Sequence, residues 1–390
     1  MVRHAARQWR SLQALRAVAA LMVVAYHALE QWRDTRPADL RLGAAWPNGA
    51  AGVDLFFVIS GVVMVAASTR LAERRDGWRV FLRHRVERVA PLYWLATTAK
   101  LALVLAVPGL ARHLWPGWGN VVCSYLFLPA ANAAGEVRPV LPVGWTLSFE
   151  MLFYLVFASG LALRPPGGLR GVVLCVVLPV LGALSLLGLA RAPGWPAASV
   201  LCDPLVLEFG AGAVLGVWSL RAPAPAPARR GVTAAWLLLA GAAALALVGL
   251  PAGTPWWRAL DWGGPAALLV AALLAVERAV PVRWPGWLLR LGDASYAIYL
   301  AHGFVLAGLA ALHLPAAWVL LAAALALSSG VGLAVHRWVE RPLAAWLADR
   351  RSAGRPGLTS LVLSGDREAG KVEALPQTPL KAGLWNPLLK

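Results

Sequence analysis

The sequence predicts an all-α, multi-pass membrane protein, because the chain is apolar, poor in charge and divided into runs of membrane-spanning length. Of its 390 residues, 59% are hydrophobic and only 14% are charged, and the mean hydropathy is +0.64. These values lie outside the range of ordinary soluble domains. A transmembrane helix needs roughly 20 predominantly apolar residues, which predicts about ten such helices here. They are residues 11–30, 50–69, 89–108, 143–163, 171–190, 199–220, 232–250, 262–280, 295–313 and 316–337.

Basic residues alternate between the connections of these stretches, and this pattern predicts their orientation. Most of the 36 Lys and Arg residues fall before the first stretch, in every second connection and after the last stretch. Such an excess marks cytoplasmic segments, so both termini are expected in the cytoplasm. The net charge of +17 is thus a topology signal, with contacts to anionic membrane lipids as a second consequence. Nucleic acid is not expected as a partner, since no nucleic-acid-binding motif accompanies the charge.

Two segments are not expected to cross the membrane. Residues 121–130, VVCSYLFLPA, are too few to span it and are interpreted as an interfacial or re-entrant segment. Residues 346–390 carry scattered charge, Pro and Gly without helical periodicity, which predicts a flexible cytoplasmic tail behind an integral-membrane domain of residues 1–345. The three cysteines show neither metal-ligand spacing nor a disulfide framework, and no metal site or phosphate-binding loop is predicted.

The first apolar stretch, SLQALRAVAALMVVAYHALE, contains Arg16 and His27, which a spanning helix normally avoids. These residues are eleven positions apart, so their side chains point within roughly 20° of one another and lie about 16 Å apart along the axis. With the N-terminus inside, Arg16 lies towards the cytoplasm and His27 towards the outside. Each side chain can extend separately to the nearer membrane surface. The shared face, however, favours a common groove inside the protein.

The second apolar stretch contains GVDLFFVISG and places Asp54 near its outer end, at the depth of His27. A carboxylate there can orient an imidazole and stabilise its protonated form, which a His general base requires. The alternative is a carboxylate that the dipole favours at a helix start. The residues alone leave both interpretations open.

A basic segment, FLRHRVERVAPLYW, leads into the third stretch, and in it Arg83 and Arg85 flank His84. Clustered guanidinium groups suit phosphate binding, because each presents a planar fork of donors. Topology alone explains how many basic residues the segment contains but not their position directly before Pro91. The pattern therefore favours an anion site at the inner end of the third helix.

Later stretches bury further polar residues. Glu150 lies among aromatic residues in VGWTLSFEMLFYLVF, and Lys100, at similar depth in the preceding stretch, is a candidate partner. A structural ion pair and a catalytic role both fit this placement. In LGDASYAIYLAHGFV, Tyr296 and His302 are six positions apart. A polar contact within the helix bundle and a place along a substrate path both fit this spacing.

Seven ordered motifs resemble the membrane acyltransferase 3 family: LRAVAALMVVAYH, GVDLFFVISG, RHRVERVAPLYW, VGWTLSFEMLFYL, LEFGAGAVLG, LGDASYAIYLAH and VERPL. Within it, SLQALRAVAAL, APLYWLAT and LPVGWTLSFEMLFY are similar to bacterial exopolysaccharide acetyltransferases. The resemblance extends over about residues 10–345. It implies transfer of an acetyl group from cytoplasmic acetyl-CoA to a hydroxyl of an exopolysaccharide or lipid-linked glycan, by a protein of the bacterial inner membrane.

The resemblance also implies roles for individual residues. It matches family motifs to Arg16, His27, Arg83, Arg85, Trp145, Thr146, Leu147, Glu150, Tyr296 and His302. We therefore expect Arg83 and Arg85, with Arg16, to hold the phosphates of acetyl-CoA. We expect His27, oriented by Asp54, to act as a general base or as a transient acyl carrier. Glu150, Tyr296 and His302 are expected to support the site or to line the substrate path.

Two functions of other classes remain compatible with the residues. In the first, a transporter or flippase moves a lipid-linked sugar along a polar path of Glu150, Lys100 and His302. In the second, the protein is a sensor or scaffold, in which substitution of Arg83 and Arg85 by Gln would leave product formation unchanged.

Overall fold

The computed structural model describes residues 9–35, 46–106, 117–188, 198–221, 230–251, 253 and 255–353, and this part of the chain is helical, as the composition predicts. The described residues contain no β-strand, and their isolated β-bridge joins Ala131 to Val137. The fold is thus a bundle of apolar helices, and its functional side chains must lie between them.

Thirteen helices are labelled here. They are α1 Arg10–Thr35, α2 Ala51–Ala67, α3 Gly77–Ala106, α4 Trp118–Tyr125, α5 Trp145–Leu163, α6 Leu169–Leu187, α7 Val206–Arg221, α8 Arg230–Gly249, α9 Ala259–Ala279, α10 Gly286–Asp293, α11 Ser295–Ala310, α12 Ala317–Val335 and α13 Arg341–Ala353. Short helical turns lie at Pro47–Ala50, Pro142–Gly144, Ala198–Leu201 and Pro255–Arg258. Single π-helical turns form Val173–Val177 in α6, Ala259–Gly263 in α9 and His336–Glu340 between α12 and α13.

Eight of the ten predicted spans coincide with helices long and apolar enough to cross a membrane. The predicted spans 199–220 and 295–313 instead correspond to α7 and α11, which have 16 residues each. The protein is therefore a multi-pass membrane protein, while the total of ten spans and the cytoplasmic termini stay predictions.

The basic segment before the third predicted span is itself helical. The span was predicted for residues 89–108, whereas α3 already begins at Gly77 and continues through Pro91. The segment thus adds about three helical turns to α3. Its arginines consequently point in directions that helical geometry sets, instead of extending from a loop.

The two segments predicted not to cross the membrane have different outcomes. Residues 121–130 include most of the short helix α4, in keeping with a segment too short to span. Helix α13 runs to Ala353, so the predicted tail 346–390 begins with ordered helix, and its remainder lies outside the described residues. The cysteines, Cys123, Cys175 and Cys202, are free.

Helices α1 and α2 lie at the centre of the bundle. They are the most buried of the candidate spans, whereas α8 and the span containing α12 expose most of their surface. Helix α1 packs against α2, α10, α11 and α12. Its N-terminus is capped from a distance, because the Glu277 carboxylate accepts hydrogen bonds from the backbone amides of Arg10 and Ser11 at 2.8 and 3.1 Å. This central position lets α1 present side chains to several helices.

Helices α2 and α7 approach so closely that their backbones touch. A Cβ atom on Gly212 would overlap the carbonyl oxygen of Val58, and one on Gly61 would overlap the carbonyl oxygen of Phe209. Small residues allow membrane helices to approach in this way, so that packing and weak polar contacts replace the missing hydrophobic driving force. The glycine pair therefore sets the position of α2 within the bundle.

We predict that Gly212→Leu destabilises the fold by about 1–3 kcal/mol, because the side chain has no space between the two backbones. The matched control is Gly241→Leu on α8, where a Cβ would meet no atom within 4 Å. Thermal unfolding of the detergent-solubilised variants measures the difference. Equal melting temperatures for the two variants would contradict the close approach.

Candidate functional site

Two cavities lie between the central helices. The first, the arginine cavity, has a volume of about 880 Å³ including the space at its mouth, and its polar lining includes Arg16, Arg85, Arg88, Glu150, Tyr296 and Tyr299. The second, the histidine cavity, has a volume of about 990 Å³, and its polar lining includes His27, Glu30, Gln31, Asp34, Lys100 and His302. Arg16 and His27 thus face different cavities at opposite ends of α1.

The arginine cavity brings cations from two helices together. Arg16 reaches it from α1, with Nε donating a hydrogen bond to the Ser295 hydroxyl at 3.1 Å. Arg85 reaches it from α3, where the buried guanidinium lies 5.5 Å from the centre of the Phe81 ring. Arg88 completes the set. Such a cluster of planar donors is suited to a phosphate-bearing ligand.

The structure places Arg83 away from this cavity, contrary to the expectation that it binds the donor together with Arg85. Its side chain is 60% exposed, and its Nε donates to Glu87 Oε1 at 2.7 Å. Residues two positions apart on a helix point about 200° apart, whereas residues three apart point within about 60°. Arg88, three positions after Arg85, is therefore the residue that shares its face. This helical spacing is present in the sequence, but the predicted span begins only at residue 89, so the sequence does not place these arginines on a helix.

Glu150 also lines the arginine cavity, but its candidate partner Lys100 does not. Its carboxylate accepts a short hydrogen bond from the Tyr154 hydroxyl, and its charge interacts with those of Arg16 and Arg85. Lys100 lines the histidine cavity instead, so the Glu150–Lys100 ion pair, one of the two alternatives for Glu150, is absent from the described residues. Similar depth on consecutive helices did not determine which cavity each side chain enters.

The histidine cavity contains a pair of imidazoles contributed by α1 and α11. Nε2 of His302 lies 3.2 Å from Nδ1 of His27. Nδ1 of His302 lies 2.7 Å from the Tyr299 carbonyl oxygen, and Nδ1 of His27 lies 3.0 Å from the Val23 carbonyl oxygen. His302 is buried, whereas His27 is half-buried at the cavity wall.

These contacts assign the protons of the neutral pair. A carbonyl oxygen only accepts, so Nδ1 of His302 carries its proton and Nε2 offers a lone pair. Nδ1 of His27 then donates to that lone pair and to the Val23 carbonyl. This tautomer leaves the lone pair on Nε2 of His27, which has no hydrogen-bond partner among the described residues. His27 is thus arranged to accept a proton from a molecule in the cavity.

Asp54 does not join the imidazole pair, although we expected it to orient His27. Its fully buried carboxylate accepts two hydrogen bonds from Arg258, Nε to Oδ1 at 3.2 Å and Nη2 to Oδ2 at 2.9 Å. The guanidinium of Arg258 also lies 5.1 Å from the centre of the Trp262 ring. Equal depth in the membrane does not bring two residues to the same helix face, and Asp54 faces the start of α9.

Two tyrosines of α11 line the arginine cavity on the side of the histidine cavity. The Tyr296 hydroxyl donates to the Val89 carbonyl oxygen at 2.7 Å, at the wall of the arginine cavity. The Tyr299 hydroxyl donates to the Val143 carbonyl oxygen at 2.9 Å and lies 2.9 Å from the Thr146 hydroxyl. Because the Tyr299 ring also contacts that of His302, with centres 5.9 Å apart, Tyr299 separates the two cavities. The sequence contained one signal for Tyr299: its spacing of three residues from His302 places both side chains on one side of a helix.

The described residues contain no group of three or more His, Cys, Asp or Glu side chains able to hold a metal ion. The imidazole pair is accompanied by backbone carbonyls and a cavity, so its geometry fits proton transfer.

Comparisons with known proteins identify the family of this chain. Residues 9–337 match the family model described as acyltransferase domain, that of the acyltransferase 3 family. The exopolysaccharide production protein ExoZ of Rhizobium meliloti is 38% identical over 312 residues, which cover 78% of this chain and 92% of the relative. The acyltransferase MdmB of Streptomyces mycarofaciens is 30% identical over 331 residues, which cover 76% and 78% of the two chains. No solved structure matches. The chain therefore belongs to the acyltransferase 3 family and is a multi-pass membrane acyltransferase.

Proposed function

We propose that the protein transfers an acetyl group from cytoplasmic acetyl-CoA to a sugar hydroxyl of an exopolysaccharide or lipid-linked glycan, in the bacterial inner membrane. The observation that carries the proposal is the pair of cavities on either side of Tyr299 and His302, one lined by arginines and the other by two imidazoles. The relative from Rhizobium meliloti is named an exopolysaccharide production protein, which supports a polysaccharide acceptor.

The arginine cavity would hold the donor. Arg16, Arg85 and Arg88 would bind its phosphate groups, where charge-assisted hydrogen bonds are strong. Glu150 and its Tyr154 partner would balance the arginines when the donor is absent and keep their side chains apart. The thioester would then extend past Tyr296 and Tyr299 towards the imidazole pair. The separation of about 16 Å between Arg16 and His27 along α1 gives this path its length.

The chemical step would use the lone pair on Nε2 of His27. Nε2 accepts the proton of the acceptor hydroxyl while the hydroxyl oxygen attacks the thioester carbonyl carbon. Collapse of the tetrahedral intermediate breaks the carbon–sulfur bond, and the thiolate leaves as the thiol with the proton held by His27. His302 and the Val23 carbonyl would keep the ring in the required tautomer and accept from Nδ1 while the ring is charged. Asp54 and Arg258 would hold α2 against the start of α9, and neither would take part in the chemical step.

Release of thiol from acetyl-CoA by the purified full-length protein, with a glycan acceptor present, tests the reaction. A thiol reagent follows the release, and mass spectrometry of the acceptor follows the gain of an acetyl ester. A flippase would release no thiol under these conditions, so the absence of both signals with every acceptor offered would overturn the proposal.

The donor site predicts different effects for two arginines of α3. Arg88→Gln should raise the KM for acetyl-CoA about 10- to 100-fold, because it removes charged hydrogen bonds of about 1.5–3 kcal/mol. Arg83→Gln, the matched control, should leave that KM within a factor of about two, since this exposed side chain contributes little outside the cavity. Steady-state kinetics measure both values. The opposite ranking would support the donor-binding role that the family resemblance implies for Arg83.

Substitutions of the two paired histidines are predicted to lower kcat by different amounts. His27→Ala should lower kcat about 10²- to 10⁴-fold, the usual contribution of a general base. His302→Phe retains a buried ring but removes the acceptor of the His27 Nδ1 proton. It should lower kcat about 10-fold at an unchanged KM for acetyl-CoA. His313→Asn, on the turn after α11, is the matched control. Full activity of a folded His27→Ala variant would exclude the proposed base.

A further inference from the structure

We propose that Lys100 binds an anionic group of the acceptor, so that the acetylated glycan carries a carboxylate or phosphate close to the reacting hydroxyl. The inference rests on the proposed function, because it names the chemical class of acceptor that the histidine cavity takes. Lys100 lines that cavity together with His27 and His302. A charge bound at Lys100 would therefore lie in the same space as the proton-accepting imidazole.

Lysine is rare in this chain, and Lys100 stands apart from the other lysines. All remaining lysines, Lys371, Lys381 and Lys390, belong to the predicted tail, while every other basic residue of the chain is an arginine. Lys100 also lies six residues before the end of α3 at Ala106, about 9 Å along the helix axis. Lys100 lies towards the end of α3 that is predicted to face outwards, so the excess of basic residues that marks cytoplasmic segments does not explain it.

Lys100 has no hydrogen-bond or ion-pair partner among the described residues. The two carboxylates of the same cavity are already engaged by α1 itself. Glu30 Oε1 accepts from the Tyr26 hydroxyl at 3.1 Å and lies 3.8 Å from Arg33 Nη2, and Asp34 Oδ1 accepts from Arg33 at 3.3 Å. An unpaired ammonium inside a membrane protein is costly and normally faces a functional cavity. An anion supplied by the acceptor would offset that cost.

The rest of the cavity has the chemistry of a sugar site. Gln31 donates through Nε2 to the Leu306 carbonyl oxygen at 3.2 Å, so its amide oxygen is free to accept a sugar hydroxyl. Glu30 and Asp34 add acceptor oxygens on the same side, and Leu141 and Phe304 supply apolar wall. Hydroxyl acceptors thus come from α1 and the cation comes from α3. A glycan bound between them would be oriented by its own charge.

The experiment compares two oligosaccharides of equal size and one lipid-linked sugar as acceptors, with the purified full-length protein and acetyl-CoA. One oligosaccharide is neutral, one carries a glucuronate, and a third substrate is a neutral sugar linked through a diphosphate to a polyprenyl lipid. The variants are Lys100→Met, which keeps the length of the side chain without its charge, and Lys100→Arg, which restores a cation.

We expect Lys100→Met to raise the KM for a charged acceptor about 10- to 100-fold, the effect of losing one charge-assisted contact. The KM for acetyl-CoA and the kinetics with the neutral oligosaccharide should stay unchanged, and Lys100→Arg should recover at least part of the loss. A response confined to the glucuronate identifies a sugar carboxylate, and one confined to the lipid substrate identifies the diphosphate. Equal loss with neutral and charged acceptors, or no loss at all, overturns the inference.

A binding readout separates this inference from the proposed reaction. Lys100 is the only lysine among the described residues, so peptide mass spectrometry can follow its labelling by an amine reagent. The glucuronate oligosaccharide or the lipid diphosphate should protect Lys100, and the neutral oligosaccharide should not. Protection without thiol release from acetyl-CoA would retain the anion site and overturn the proposed reaction. Thiol release without protection of Lys100 by either charged acceptor would retain the proposed reaction and overturn the anion site.

Discussion

The cost of placing charge inside a membrane governs the arrangement of this protein. A charged side chain cannot face lipid without a large penalty, so it must enter a cavity or meet a partner. Arg16, Arg85 and Glu150 enter one cavity, and Asp54 meets Arg258 in a bidentate pair. The apolar surface of the outer helices is available to lipid because the polar groups gather at the centre. The same constraint that shapes the bundle therefore concentrates its chemistry.

Helix α1 carries polar side chains that satisfy this constraint by entering the two cavities. It is one of the two most buried spans, and it contributes Arg16 to one cavity and His27 to the other. Its position is held by α2 and by the helices that follow α9, and its first turn is capped by Glu277. Tyr299 of α11 then separates the two cavities at the point where α11 meets the turn before α5. A donor group and an acceptor could thus approach one another from opposite directions.

Residue types alone suggested a His–carboxylate pair, and the structure shows a His–His pair instead. A neutral imidazole bonded to a backbone carbonyl offers a lone pair at its other nitrogen, so His302 can orient His27 without a negative charge. In the apolar centre of a membrane protein this arrangement avoids burying another ion. The carboxylate expected for this task, Asp54, is committed to Arg258. Its charge is therefore balanced within the bundle and is not directed at the imidazoles.

The sequence by itself determined the helical class, eight of the predicted spans and the common face of Arg16 and His27, because these depend on local composition and helical period. The choice between Arg83 and Arg88 was also local, since helical spacing distinguishes them once α3 is known to begin at Gly77. Only the tertiary structure decided the partners of His27 and Asp54, which lie 275 and 204 residues away along the chain. The rotation of each helix about its axis and the identity of its neighbour depend on packing across the whole bundle, such as the contact of Gly61 with α7. No local pattern records that packing, and for the same reason the sequence does not show that Glu150 and Lys100 line different cavities.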